Sequence, residues 1–377
     1  MRAPIYLDHN ASTPIAPAVR AAMEPYLTEH FGNPSSSHVF GRRARAAVEE
    51  ARMQVAVAIG ARPEEIVFTS GGTEASNLAI LGTTSTHDQT AGVVTTTIEH
   101  PATAEPCAHL ERSGARVRRV GTDRGGHVDL HALALALRGP TRLVTVIHAH
   151  NETGVVQPVT EIAARARAVG ALVHADGAQS LGKIPARVDE LDVDLFSIAG
   201  HKFGAPKGVG ALYVRAGIAL SRLQYGASHE RGLRPGTENV AGIVGLGAAC
   251  TAATSDLHVV GPKMRSLCHA LWTSLEASVP GIARHGDPES GLPNTLSLRF
   301  PRVSGASLLA RTPEVAASTG SACHGGHDTA PAAIVAMGID PSEALGTVRV
   351  SVGRTTTLDD VRDAADLLAR AWRALTR

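Results

Sequence analysis

Over the first two-thirds of the chain, short apolar runs alternate with longer stretches whose apolar residues recur at helical spacing. The runs predict strands at residues 66–69, 93–98, 117–120, 143–148, 171–176 and 193–199. The periodic stretches predict helices from Glu74, from Pro101, near 130–137 and at about 159–169. Strand–helix alternation of this kind specifies a mainly parallel sheet with helices on both faces, an α/β fold. Ligands of such sheets bind at the carboxyl ends of the strands.

The texture changes after Val240. The stretch 240–253 is apolar, carries three glycines and is shorter than the ~20 residues a membrane span needs. It reads as a buried helix ending near Ser255. Residues 256–262 read as a hinge, followed by a helix at 263–278, a strand at 295–300, a Gly/Ser/His-rich loop around Cys323 and a last helix from Leu358. The expected division is a large domain over 14–255, with a smaller α+β domain built from 1–13 and 256–377 that carries the cysteine loop.

Composition narrows the function classes. Hydrophobic content of 44% and charged content of 19% are those of a soluble globular protein. The formal charge is +1, so no whole-protein field favours nucleic acid or an anionic membrane. The basic run Arg42, Arg43, Arg45 is balanced by Glu49 and Glu50 and marks a solvated helix face. Four cysteines without a CxxC pair, and an N-terminus with no apolar signal core, fit a reducing cytoplasm.

Lysine usage is the most informative count. Of 377 residues only Lys183, Lys202, Lys207 and Lys263 are lysine, while arginine carries the rest of the positive charge. Arginine cannot replace lysine where an amine must lose its proton and attack a carbonyl. Lys202 follows one predicted strand and Asp176 ends another. An acid and a lysine at strand ends facing one crevice meet the minimal requirement of pyridoxal 5'-phosphate: the lysine attaches the cofactor and the carboxylate keeps its ring nitrogen protonated.

Neighbouring segments extend that reading. Ser70-Gly-Gly-Thr-Glu74 joins a strand to a helix, so Gly72 lets the backbone approach a phosphate and Thr73 adds a hydroxyl. His100, just past a strand, is a candidate lid for the cofactor ring or an acid/base. Asn151 and Gln179 are candidates for a ring hydroxyl or a substrate group, with helix or turn capping as the alternative. Arg349, in an alternating strand, suits bidentate capture of an α-carboxylate; the alternative is a structural ion pair, a role that falls more to Arg354. Cys323, among small residues and next to His324, is an accessible thiol whose neighbours favour the thiolate. Its spacing to His324 and His327 leaves a metal site as the alternative.

Together these segments resemble the class V aminotransferase family, and within it the cysteine desulfurases and selenocysteine lyases. The resemblance runs from Tyr6-Leu-Asp-His-Asn-Ala-Ser-Thr-Pro14 through the Gly-His-Lys motif at 200–202 and the Arg231–Asn239 segment to the Ser-Ala-Cys motif at 321–323. It implies a fold type I transferase that binds pyridoxal phosphate and acts on L-cysteine or L-selenocysteine. It implies that Lys202 holds the cofactor, Asp176 its ring nitrogen, and Gln179 its hydroxyl, while His100 stacks on the ring. Thr73 and His201 would hold the phosphate together with Thr237 from the second subunit of a homodimer. Asn151 and Arg349 would bind substrate and Cys323 would accept sulfur for a partner protein.

Three features depart from the family pattern. Ala199 stands where many desulfurases have a serine, which removes a phosphate hydroxyl. Gly226-Ala-Ser-His-Glu230 replaces a triple glycine, and no tail follows the last helix. The expected reaction converts L-cysteine to L-alanine with sulfur left on Cys323. Selenide release from L-selenocysteine is the first alternative; another pyridoxal phosphate-dependent enzyme of the same family and a non-catalytic protein that keeps the fold are the others.

Overall fold

The computed structural model describes residues 4–84, 91–287, 289–320 and 329–377. Seven strands form one sheet in the order Ile66–Thr69, Gly210–Val214, Leu195–Ala199, Leu172–Asp176, Thr141–Ile147, Gly92–Thr96, Val117–Val120. Six run parallel, and Gly210–Val214 runs antiparallel to both neighbours. That strand is absent from the sequence expectation. Two predicted strands also stop early, at Thr96 and Ile147, which frees the residues after them for loops.

Both faces of the sheet are buried, as the apolar runs require. Val67, Leu143, Leu195 and Leu212 pack with Leu78 and Ile80 of the helix Gly72–Thr84. On the other face Ile66, Phe68, Val144, Phe196 and Ile198 pack with Val55, Ile59 and Leu246. Leu246 belongs to the helix Val240–Ser255, which lies directly on the helix Val39–Ile59. The contact is close enough that a Cβ at Gly247 would stand 2.8 Å from the Ala51 Cα.

A second cluster forms apart from the first. Ile5, Leu7, Leu271, Leu298, Val350, Leu368 and Trp372 are among its members. They lie between an antiparallel sheet, Thr347–Ser351, Thr295–Arg299, Ala283–His285, and the helices Leu257–Ser278 and Leu358–Thr376. The last helix starts at a capping box: Thr357 Oγ1 accepts the Asp360 N–H at 3.1 Å, and Asp360 returns a bond to the Thr357 N–H at 3.0 Å.

The expected hinge at 256–262 is corrected. The chain turns sharply at Asp256, and the two helices meet there at 76°, but Leu257–Ser278 then runs on through Pro262. A proline this near a helix start forfeits a single backbone bond. Burial of Val260, Met264, Leu267 and Leu271 outweighs it. Arg354 anchors the corner through a 2.6 Å ion pair to Asp256.

Candidate active site

The carboxyl ends of five parallel strands surround one cavity of about 210 Å³. Gly72, Thr73, His100, Asn151, Asp176, Gln179, His201 and Lys202 all lie on its wall. Strand topology brings together eight residues that are scattered over 130 positions of sequence, from 72 to 202.

Each arrives for a local reason. The turn at Ser70–Thr73 sits flat on the sheet, because Gly210 beneath it has no Cβ; one there would stand 2.7 Å from the Gly71 Cα. The helix that follows thus points its free N–H groups and positive dipole end at the cavity. Glu74 ties the turn down, accepting from the Ser70 N–H at 2.6 Å and from Arg234 at 3.1 Å. His100 caps its own helix: Nδ1 accepts the Ala102 N–H at 3.0 Å, which leaves the ring proton on Nε2. Burial lowers its pKa, and the Asp176 carboxylate only partly offsets this.

Asp176 is buried and accepts a 3.0 Å bond from the Ala178 N–H. Burial pushes its pKa up, against that bond and the fields of His100 and Lys202. A buried carboxylate on a cavity wall is suited to a cationic ligand group that it can neutralise. Lys202 stands on a short turn, Gly200–Lys202. Its Nζ donates to the carbonyls of Asn10 at 2.8 Å and Ala11 at 3.1 Å. Burial and the Arg349 charge bring its pKa down to about 8, although Asp176 and Asp8 pull the other way. His201 is held neutral, at about 4, by burial and by the lysines around it, and its Nδ1 lies 3.3 Å from Ser12 Oγ.

Two residues to which the sequence reading gave no role support the wall from behind. Gln179 Nε2 donates to the Asn10 carbonyl at 2.9 Å, while its Oε1 accepts from Lys183. Lys183 is buried and also donates to Asn10 Oδ1 at 3.0 Å, and burial holds its pKa far below the usual lysine range. The scarcity of lysine was the available signal for Lys183. Asn10 lies in the Tyr6–Pro14 segment that carries the family resemblance, but the sequence gave it no role.

The remaining expectations divide. Arg349 is buried beside the cavity and not on its wall; it donates to Asp8 at 2.5 Å and to the Asn151 carbonyl at 3.2 Å. Thr237 is exposed and away from the cavity. Ala199 lies on the wall with no hydroxyl to offer. In the segment that replaces the triple glycine, Glu230 adopts φ 45° and turns its carboxylate inward. There it pairs with Arg52 at 2.7 and 2.9 Å and accepts the Phe68 N–H at 2.7 Å. Cys323, His324 and His327 lie outside the described residues. The other three cysteines are buried with thiols pushed up to about 12, which leaves them unreactive. Among the described residues no group of side chains is arranged to hold a metal ion.

The fold and this cavity define a member of a known enzyme class. The family described as aminotransferase class-V matches residues 5–363, and the chain belongs to that family. It is 40% identical to cysteine desulfurase IscS of Dictyoglomus turgidum over 373 residues, 98% of this chain and 95% of that one. Among solved structures, one described as a NifS-like protein superposes with a TM-score of 0.92 at 34% identity, covering 100% of both chains. Another, SspA in complex with cysteine, superposes with a TM-score of 0.82 at 33% identity over 92% of this chain and 98% of that one.

Proposed function

We propose that the chain is a pyridoxal phosphate-dependent cysteine desulfurase, which converts L-cysteine to L-alanine and leaves the sulfur on Cys323. The observation that carries this reading is the convergence of Lys202, Asp176, His100 and the Gly72–Thr73 helix start on one cavity. The donor set suits the cofactor. The helix start and His201 would take its phosphate, the buried Asp176 carboxylate its protonated ring nitrogen, Gln179 its hydroxyl and Lys202 its aldehyde carbon. Thr237 of a second subunit would complete the phosphate site.

When bound, pyridoxal phosphate supplies a ring that holds the electron pair released at the substrate Cα. The residues do the rest. Arg349 and Asn151 orient the α-carboxylate. The Lys202 amine, with its pKa brought down to about 8, takes the α-proton. The Cys323 thiolate attacks the substrate sulfur, so an S–S bond forms as the Cβ–S bond breaks. The bonding pair goes to Cβ, which takes a proton on the way to alanine. Cys323 is left as a persulfide, ready to pass its outer sulfur to an acceptor protein.

Further parts of the reading are proposals of the same kind. The chain works as a homodimer, which the exposed, stacked Phe31–Phe40 pair supports. Its two bodies divide at 14–255 against 1–13 with 256–377, which the separate hydrophobic clusters support. It acts in the cytoplasm; three free buried thiols fit a reducing compartment, and no single helix among the described residues is long and apolar enough to cross a membrane.

One experiment tests the reaction. After a single turnover with L-cysteine, mass spectrometry is expected to find one added sulfur on the Cys323 peptide and one equivalent of alanine. Cys323→Ala is expected to abolish both. Sulfur on Cys107, Cys250 or Cys268, or unimpaired turnover by the variant, overturns the assignment. In a side-by-side comparison on the unmodified protein, turnover of L-selenocysteine with little or none of L-cysteine would shift the reading to a selenocysteine lyase.

A further inference from the structure

Asn10 is fully buried, and its carboxamide is saturated. Nδ2 donates to Thr295 Oγ1 at 2.8 Å and to the Asn151 carbonyl at 3.1 Å. Oδ1 accepts from Lys183 Nζ and from Asn294 Nδ2, each at 3.0 Å. Two N–H groups and two lone pairs are all that a carboxamide offers. The Asn10 main-chain N–H donates to Ser351 Oγ at 2.9 Å, and its carbonyl receives Lys202 and Gln179.

The partners come from two bodies. Asn294, Thr295 and Ser351 lie in or next to the antiparallel sheet, whereas Lys183, Gln179, Asn151 and Lys202 follow strands of the seven-stranded sheet. One small side chain thus fixes the short segment whose carbonyls hold the Lys202 amine. A neutral amine has two N–H groups and one lone pair. With both N–H groups on the Asn10 and Ala11 carbonyls, the direction of the lone pair is set by where those carbonyls stand.

We propose that Asn10 is a positioning residue: it anchors the two carbonyls on which the free Lys202 amine rests, and so sets the place from which that amine takes the substrate's α-proton. This rests on the reading of Lys202 as the cofactor-bearing, proton-moving lysine. Proton transfer is sensitive to placement, and a displacement of about 1 Å can cost roughly 10²-fold in rate.

The test is exchange of the α-proton of L-alanine in heavy water, followed by NMR on the holoenzyme. It needs no sulfur transfer and is independent of Cys323. Asn10→Asp keeps the shape and removes both side-chain donors. Thr295→Val is uncharged, lies in the other sheet and removes one anchor. Exchange per cofactor-bearing lysine, counted by borohydride trapping, is expected to fall about tenfold or more in Asn10→Asp and by a smaller factor in Thr295→Val. Trapping itself is expected at the wild-type yield. Wild-type exchange rates in the folded variants overturn the proposal, even where melting temperatures drop. Where Asn10→Asp does not fold, Thr295→Val decides alone. Absence of trapping and exchange in the unmodified protein would instead overturn the underlying reading of Lys202.

Discussion

Arg349 already grips a carboxylate: its guanidinium donates to Asp8 Oδ1 at 2.5 Å, in a pair that is largely buried. Its Nε is buried and, among the described residues, has no acceptor. The side chain proposed to bind a substrate carboxylate thus shows that chemistry within the chain and keeps one donor in reserve.

Arg349→Lys is expected to raise KM for L-cysteine about tenfold or more, with a smaller effect on kcat. An ammonium lacks the planar fork that spans Asp8 and the Asn151 carbonyl and leaves a donor for a substrate carboxylate, and each charged hydrogen bond is worth about 1.5–3 kcal/mol. Steady-state kinetics check the split between KM and kcat; an unchanged KM removes Arg349 from the substrate site.

Lys202→Ala is expected to lose all borohydride-trapped cofactor, even though Lys183 is nearby. Lys183 is committed to Asn10 and Gln179 and does not line the cavity that holds Lys202. Peptide mapping after reduction checks this, and a cofactor found on Lys183 contradicts it.

Cofactor capture by the cofactor-free protein should accelerate with pH through about 8 and then level off. Only the neutral amine attacks an aldehyde, and burial with the Arg349 charge brings the Lys202 pKa down to about 8. An ordinary lysine would keep gaining reactivity up to about pH 10.4. A stopped-flow series across pH measures the midpoint.

Arg52→Met is expected to destabilise the fold by about 3–5 kcal/mol, because it strands the Glu230 carboxylate in the interior. Adding Glu230→Gln to it should recover part of the loss, since no unpaired charge then remains. Chemical denaturation of the wild type, single and double variants checks the order.

The local elements and the chemical types were legible in the sequence. A short run that is apolar except for one serine, such as Leu195–Ala199, fits a strand buried on both faces, and a lysine just past its end is conspicuous where lysine is so rare. The run of helix through Pro262, inside the hinge expected over 256–262, and the antiparallel strand Gly210–Val214 were not legible in that way. In the first, burial of a helix face overrode a local breaker. In the second, a strand's direction depends on which edge it joins.

By itself the sequence determined which residues have the chemistry: an amine, an acid, an imidazole and a glycine-rich helix start, each at a strand end. Only the tertiary structure decided their company. Hydrogen-bonding capacity is a property of a residue, but its satisfaction depends on what the fold brings within about 3 Å. So Asn10, to which the sequence assigned no role, became the meeting point of Lys202, Lys183, Asn151 and Thr295. For the same reason the Lys202 amine has its pKa lowered to about 8, since burial and the charge of Arg349, 147 positions away in sequence, act only once the chain has folded.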